Sequence, residues 1–481
     1  MRYDMAIIGS GAAAFAAAIT ARAGGHSVVM VERAEVGGTC VNTGCVPSKA
    51  LLAAAGARHD AVAPRFPGVG TQAGPVNFPA LIAGKDDLVA AMRQGKYLDL
   101  ANEHGWRIIP GQARFVPGPR LHVAIRGGGS ELVDAAHYLV ATGSAPWVPP
   151  VPGLRRAGYL TAASAAALDE LPQSLLVLGG GAIGLEQSQM FARLGARVDL
   201  VEALDRLAPA EEPEISAALT GTLADEGIHV HTASELRSVT RDESGHLVAT
   251  ALARLPAGAE GAARSRRRST LRGQDLLLAA GRRAVTGGLD LAAAGVRTGA
   301  DGAIPVDGRQ QTSNPRVWAA GDVTAGPQYV YAAAAQGTLA AENALGGGGR
   351  ALDYTAMPRV IFTDPAVASV GLTEAQAVRQ GRRPDCRTLP LRHVPRAVVN
   401  RETRGLVKLV AEAGTGRLLG AHAVADGAGE VITTAGLAIT GRMTVTQLAG
   451  LWCPYLTMTE ALKLAAQSYS RDVSRLSCCA A

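Results

Sequence analysis

At 481 residues, 48% of them hydrophobic, the chain is long enough for about three domains, each with its own core. The formal charge of +6 does not argue for a nucleic-acid binder, because one 22-residue stretch, Ala251 to Arg272, supplies +5 of it. Six cysteines, at 40, 45, 386, 453, 478 and 479, form no secreted disulfide framework and fit a reducing compartment.

Taken in order, residues 3–8 read as a short buried strand running into Gly9-Ser10-Gly11-Ala12-Ala13-Ala14. An Ala-rich helix to about Ala23 follows, then a strand from Ser27 to Val31 that ends in Glu32. This is a β-α-β unit with G-x-G-x-x-A at the turn. Gly9 and Gly11 let backbone N–H groups approach a pyrophosphate at a helix N-terminus, Ala14 packs helix on strand, and Glu32 accepts from ribose hydroxyls. The nearly uncharged run from Met5 to Ala21 lacks the basic flank and cleavage site of a signal peptide. No other stretch reaches membrane-spanning length uninterrupted, so a cytoplasmic protein is expected.

Next comes Gly37-Gly38-Thr39-Cys40-Val41-Asn42-Thr43-Gly44-Cys45-Val46-Pro47-Ser48-Lys49. Two cysteines with four residues between them and no second Cys or His pair do not make a zinc knuckle. One turn of helix would bring Cys40 and Cys45 within bridging distance, and such a bridge would be strained and readily reduced. Lys49, about one turn on, would stabilise an anionic neighbour. The segment reads as a redox-active dithiol.

The first pattern recurs. Leu175–Leu178 is a strand, Gly179-Gly180-Gly181-Ala182-Ile183-Gly184 the turn, and a second strand from Arg197 to Val201 ends in Glu202. Gly179, Gly181, Gly184 and Glu202 thus repeat the first nucleotide site, and two such sites imply electron transfer between two dinucleotides. Strand-to-turn runs at Thr142-Gly143 and Gly281-Arg282, and a strand ending at Asp322, add backbone approaches to those ligands. The six arginines of the basic stretch (Arg254, Arg264, Arg266, Arg267, Arg268, Arg272) have no interleaved aromatics and read as a solvated hairpin loop. After the glycine run 346–349 the composition shifts to alternating strands and helices without a nucleotide motif.

Over essentially its whole length the chain resembles the pyridine nucleotide–disulfide oxidoreductases. The resemblance implies an α/β fold with two Rossmann-like dinucleotide-binding domains plus a C-terminal α+β dimerisation domain. The division expected is an FAD-binding domain (1–150), an NAD(P)H-binding domain (151–280), a second part of the FAD-binding domain (281–349) and the dimerisation domain (350–481). It also implies roles: Cys45 as the thiolate against the flavin, Cys40 as the interchange thiol, Gly38 and Thr39 beside FAD, and Lys49 paired with Glu186 near flavin N5. Without the resemblance, Glu186 is a helix-surface acid.

The branch is decided near the C-terminus. Where disulfide reductases carry a His-Glu dyad, this chain has Tyr455 and Glu460. A phenol near pKa 10 is a poor base at neutral pH, which disfavours exchange with organic disulfides. The chain ends Cys478-Cys479-Ala480-Ala481, and an adjacent thiol pair at a terminus is a good soft-metal ligand. The dithiol, the Tyr455–Glu460 segment and this tail together resemble the mercuric reductase family. That resemblance implies Hg(II) as substrate, arriving bound to small thiols, captured by Cys478 and Cys479 and passed to Cys40 and Cys45 of the partner subunit in a homodimer. Tyr97 matches a second tyrosine beside the metal, with a core tyrosine as the alternative. Two departures stand out: the N-terminal C-x-x-C delivery domain often found in that family is expected to be absent, and Glu202 occupies the place where an NADPH enzyme binds the 2′-phosphate. Glu202 suggests NADH, with Arg197 and Arg206 expected close by. The competing readings are a thioredoxin reductase-like enzyme whose tail pair relays electrons outward, against which Tyr455 speaks, and a non-catalytic flavoprotein, against which the intact dithiol speaks. Cys386 and Cys453 read as small core residues.

Overall fold

The structure, a computed structural model, describes residues 2–254 and 266–475. The chain divides into two compact units: Met1–Ala50 with Pro79–Val148 and Gly281–Leu352, and Leu51–Phe78 with Pro149–Ala280 and Asp353–Ala481.

The first unit is built on Arg2–Ile8, whose residues alternate between two cores. Ala6 and Ile8 join one cluster and Met5 and Ile7 the other, so the strand is apolar on both faces, as a central parallel strand must be. It pairs in parallel with Val28–Glu32 on one side and Ser130–Val140 on the other, and Val317–Ala319 extends the sheet. Arg107–Val116 continues it beyond Val28–Glu32, then turns with Arg120–Ile125 and Ser130–Val140 into an antiparallel meander. Helix Ala12–Ala23 buries a face of Ala and Phe15, small enough for helix Val330–Gly346 to lie close. A Cβ on Gly337 would stand 2.0 Å from Ala13 O, so only glycine permits that crossing.

The second unit repeats the β-α-β pattern. Its parallel sheet runs Asp275–Leu278, Ser174–Leu178, Arg197–Val201, His229–His231, with helix Ala182–Leu194 as the first crossover. A three-stranded antiparallel sheet (Ser234–Arg241, Leu247–Arg254, Arg266–Gly273) follows. Here the basic stretch departs from the expected loop. Arg266, Arg267, Arg268 and Arg272 lie in a strand, with Arg254 paired to Arg266. It is an edge strand, where exposed charges are tolerated and discourage further pairing. Residues 255–265, between the strands, lie outside the described residues.

The C-terminal part of this unit is a five-stranded antiparallel sheet in the order Arg359–Ile361, Ala366–Gly371, Leu418–Ala425, Leu406–Glu412, Pro384–Pro390. Helices Ala428–Thr440 and Glu460–Gln467 bury apolar residues against the same core as Val407, Leu409 and Ala421. Lys408 is buried within it and donates to Glu212 (3.1 Å), Glu214 (3.0 Å) and Glu374 (2.9 Å). A buried ammonium persists only when ringed by carboxylates in this way. Two of those acids come from the start of helix Pro213–Asp225, which the cluster thereby ties to the C-terminal sheet.

Candidate active site: a dithiol wired to a dinucleotide turn

Gly9 has φ +104°, and a Cβ on it would stand 2.4 Å from Ala141 O, which fixes glycine at the end of the first strand. The chain then enters helix Ala12–Ala23 at Gly11, where a Cβ would have only Gly38 Cα within 4 Å, at 4.0 Å. At the third motif position Ala14 is fully buried. Glu32 accepts from Ser10 Oγ (2.6 Å) and from Ala34 N (2.7 Å), which leaves its carboxylate fixed at the strand end. A cavity of about 370 Å³ runs between this turn and Glu32, and its wall includes Gly38, Thr39, Thr142 and Gly143. Gly143 has φ +69° and nothing within 4 Å of its Cβ position, so the backbone there is bare. Helix N-terminus, open glycine turn and fixed carboxylate fit the adenosine diphosphate half of FAD. Farther along, Asp322 accepts from Ser144 Oγ (2.8 Å).

The dithiol loop leans directly on this turn. Gly37 N donates to Ser10 Oγ (3.0 Å), and a Cβ on Gly38 (φ +64°) would stand 2.6 Å from Gly11 Cα. Cys40 sits in the short helix Gly38–Asn42, and Cys45 opens helix Cys45–Val62. The expectation of one continuous turn is corrected here. In an unbroken α-helix, residues five apart point about 140° away from each other. The break at Thr43-Gly44 removes that offset, and Gly44 is required because a Cβ would stand 2.9 Å from Thr39 O. The two thiols come within hydrogen-bonding reach. The hydrogen bond to Cys45 pushes the Cys40 thiol far up, burial and the charge of Cys45 add to this, and Lys49 opposes it. Cys45 meets the positive end of an 18-residue helix dipole.

Tyr97 lies in a π-helical turn, Gln94–Leu98, between two α-helices. Its ring packs edge-on against Phe15 at 4.7 Å. Burial raises its hydroxyl pKa, and the charges of Cys40 and Cys45 raise it further, so Tyr97 faces the dithiol as a neutral phenol. The core-tyrosine alternative captures only the half of the ring against Phe15.

The second turn copies the first. Gly179 has φ +113° and its Cβ would stand 2.4 Å from Ala279 O. Gly184 is forced, with a Cβ position 1.8 Å from Gly179 O, while Gly181 and Gly281 (φ +114°) are open. Glu202 accepts from Gly180 N (2.6 Å) and Leu204 N (2.7 Å). The expected neighbourhood of Glu202 needs correction at Arg197. Arg197 starts the strand that Glu202 follows, about 16 Å away at strand rise, and donates to Arg272 O (2.8 Å). Arg206 donates to Pro209 O (2.8 Å). This turn fits a nicotinamide dinucleotide with a ribose hydroxyl on Glu202. Glu186 is 6% exposed, not a surface acid, and accepts from Phe362 N (2.9 Å).

In the C-terminal part, Tyr455 is half exposed on the loop before helix Glu460–Gln467. Glu460 is buried, one carboxylate oxygen has no hydrogen-bond partner, and burial raises its pKa. Cys386 is half-buried at the edge of a small apolar cluster, short of the core position expected. Cys453 is not a core residue; it lies in an irregular loop two residues before Tyr455. Cys478 and Cys479 lie outside the described residues. Among those described, no group of three or more His, Cys, Asp or Glu could hold a metal ion, and no helix is long and apolar enough to cross a membrane.

Two residues escaped the sequence reading. Ser10, the variable residue of the glycine motif, joins Glu32 to the dithiol loop. Arg282 donates to Ser144 Oγ (2.8 Å) and Ser144 O (2.7 Å), holding the hydroxyl that meets Asp322, and burial lowers its pKa. Its position straight after Gly281 was the available signal.

Residues 3–337 match the pyridine nucleotide-disulphide oxidoreductase family, and residues 357–466 its dimerisation domain. A mercuric reductase of Streptomyces lividans is 58% identical over 479 residues, 99% of this chain and 98% of its own. Another, from Shigella flexneri, is 44% identical over 99% of this chain and 82% of its own. Among solved structures, the Cu(II) complex of the HOCl-induced flavoprotein disulfide reductase RclA from Escherichia coli superposes with a TM-score of 0.85 at 29% identity, covering 98% of this chain and 100% of that one. LpdA from Mycobacterium tuberculosis superposes with a TM-score of 0.85 at 27% identity, covering 97% and 99%. With both family regions matched and relatives similar from end to end, this chain belongs to the pyridine nucleotide–disulphide oxidoreductases and, within them, to the mercuric reductases.

Proposed function

We propose that this enzyme, which reduces Hg(II) with electrons from NAD(P)H through FAD, carries out the reaction on the metal held between Cys40 and Cys45, after the tail pair Cys478–Cys479 has taken it from small thiols. The overall step balances as NAD(P)H with a dithiolate complex of Hg(II) giving NAD(P)⁺, Hg(0), one thiolate and one thiol. FAD, when bound, accepts a hydride equivalent from the nicotinamide and passes two electrons on. The chain's own residues do the rest. Gly9, Gly11 and Glu32 hold one dinucleotide, and Gly179, Gly181 and Glu202 the other. Cys45, at its helix N-terminus, is the thiolate of the pair and Cys40 the protonated partner. Hg(II) favours two soft thiolates, and Tyr97 lends the metal a neutral phenol rather than a base. Tyr455 and Glu460, on the C-terminal domain, act at the dithiol of the other subunit in a homodimer whose active site is shared. The Cys40–Cys45 thiol contact carries this reading. A reducing, cytoplasmic setting suits a chain whose six cysteines form no secreted disulfide framework.

The nicotinamide preference follows from Glu202. Its carboxylate, pinned by two backbone N–H groups, is read as the acceptor of the ribose hydroxyls; Arg197 lies a strand length away, and Arg206 donates through one nitrogen to Pro209 O. Burying a phosphate against a carboxylate costs several kcal/mol, about 10²-fold in selectivity. NADH is therefore expected to serve at least as well as NADPH. Measuring kcat/KM for both, with glutathione-bound Hg(II) as acceptor and glutathione disulfide and thioredoxin as controls, tests both halves. An NADPH preference above about tenfold overturns the role of Glu202, and turnover of a disulfide in place of Hg(II) overturns the metal reading.

A further inference from the structure

The polar segment from Tyr469 to Ser477 precedes the terminal thiol pair. The structure shows its first half tied down. After helix Glu460–Gln467 the chain closes on itself, with Ser470 N (3.0 Å) and Arg471 N (2.9 Å) donating to Gln467 O. Tyr469 Oη lies 2.9 Å from Asp385 O and 3.1 Å from Leu409 O, carbonyls of the neighbouring strands Pro384–Pro390 and Leu406–Glu412. The Arg387 guanidinium stacks over the ring at 4.9 Å. Burial, then the charges of Cys386 and Asp385, push the phenol pKa well up, so it remains a donor across the working pH range. Four residues on, Val473 packs against the core of the C-terminal sheet in the short turn Val473–Arg475.

We propose that Tyr469, with Val473 as a second point, is a positioning residue that moors the C-terminal segment and thereby sets the reach of Cys478 and Cys479. This rests on the reading of that thiol pair as the carrier of Hg(II). From Val473 to Cys478 is five residues, at most about 18 Å of chain. With both points released the span is counted from Gln467, eleven residues and about 40 Å. The effective concentration of the thiols at any fixed acceptor site then falls roughly as the −3/2 power of tether length, about threefold from five residues to eleven. The mooring thus acts on the hand-off and not on the chemistry at the dithiol.

The test compares two substrates, bis-glutathione Hg(II), which needs the tail, and HgBr₂, small enough to reach the dithiol directly. The Tyr469→Ala/Val473→Ala variant, with both points released, should lower kcat/KM for the glutathione complex by about threefold, chiefly through KM, and leave that for HgBr₂ unchanged. Tyr469→Phe, which keeps the ring under Arg387 and the second point at Val473, should retain most of the activity. Inserting Gly-Ser-Gly-Ser between Arg475 and Leu476 lengthens the span with the mooring intact and should lower the same ratio by about twofold, even where the double variant fails to fold. Equal losses on both substrates in the double variant make the two residues merely structural and overturn the mooring, as does an insertion without effect. The Cys478→Ala/Cys479→Ala variant separates the two ideas. Full activity of that variant on the glutathione complex sinks the carrier reading itself, whereas its loss beside an unaffected Tyr469→Ala/Val473→Ala sinks the mooring alone.

Discussion

The two β-α-β units hold their strand-end carboxylates in nearly the same way and differ in one atom's origin. Each carboxylate accepts from the backbone N–H two residues on, Ala34 for Glu32 and Leu204 for Glu202, both at 2.7 Å. Each second bond is 2.6 Å, but its donor is the Ser10 hydroxyl in one unit and the Gly180 N–H in the other. The Ser10 hydroxyl also accepts from Gly37 N and so connects Glu32 to the loop that carries Cys40. Gly180 has no side chain with which to make such a link, and a Cβ there would stand 2.6 Å from Leu207 Cδ2. One fold motif is therefore joined to the dithiol loop in the first unit and has no such side-chain link at Gly180 in the second.

The shared part of the comparison breaks most visibly at the first glycines. Gly9→Ala and Gly179→Ala each set a Cβ 2.4 Å from a backbone carbonyl at positive φ. Overpacking and strain together amount to about 3 kcal/mol or more, roughly 10²-fold in binding. Gly9→Ala should be purified without its yellow colour. Gly179→Ala should stay yellow yet require about 10²-fold more NAD(P)H to bleach it; equal flavin loss in both would show that the two turns do not bind separate nucleotides.

A second, smaller effect separates the units by acid stability. Just past the second turn, burial would raise Glu211, but His422, its Nδ1 3.7 Å away, and Arg359 at 3.3 Å outweigh it and hold the carboxyl at about 2. A folded-state pKa below the unfolded value of about 4.3 stabilises the protein fully above that pH, and the contribution fades as pH falls toward 2. It is on the order of 3 kcal/mol. The Tm gap between wild type and Glu211→Gln should therefore be widest at pH 6 and shrink steadily by pH 3. A gap that stays constant would remove Glu211 from the acid response.

The smallest expected effect tests the link itself. Ser10→Ala leaves Gly37 N–H and one oxygen of Glu32 without their partner in a buried site, at a cost of about 1–3 kcal/mol. FAD should remain bound, while the denaturation midpoint falls at constant m-value and alkylation of Cys40 by iodoacetamide quickens a few-fold. Unchanged alkylation would mean that the hydroxyl steadies the ribose carboxylate without reaching the dithiol.

Much of this was legible from residue order. Both glycine motifs, both terminal acids and the dithiol rest on local rules: a turn needing positive φ, a helix N-terminus, a fixed number of residues per strand. What misled was a local inference carried through space. Cys40 and Cys45 were expected on one helical turn, yet periodicity places such a pair on different sides, and the break at Gly44 brings them together. Arg197 was expected near Glu202 because it is five residues away, a small separation in sequence but a whole strand length in space. Arg266, Arg267, Arg268 and Arg272 read as a loop by composition, although pairing with Leu247–Arg254 makes them a strand.

The sequence by itself determined which chemistry the chain carries, because thiols, glycines and carboxylates act through their own bonds and conformations, and their spacing along a β-α-β unit is set by covalent geometry. Only the tertiary structure decided how those groups are coupled. The Ser10 hydroxyl between Glu32 and Gly37, Arg282 holding Ser144 toward Asp322, Lys408 among three acids and Tyr469 between two carbonyls all join residues far apart in the chain. Such bonds form only where packing brings distant segments within about 3 Å and excludes water, and one residue's identity does not reveal which distant partner it will meet.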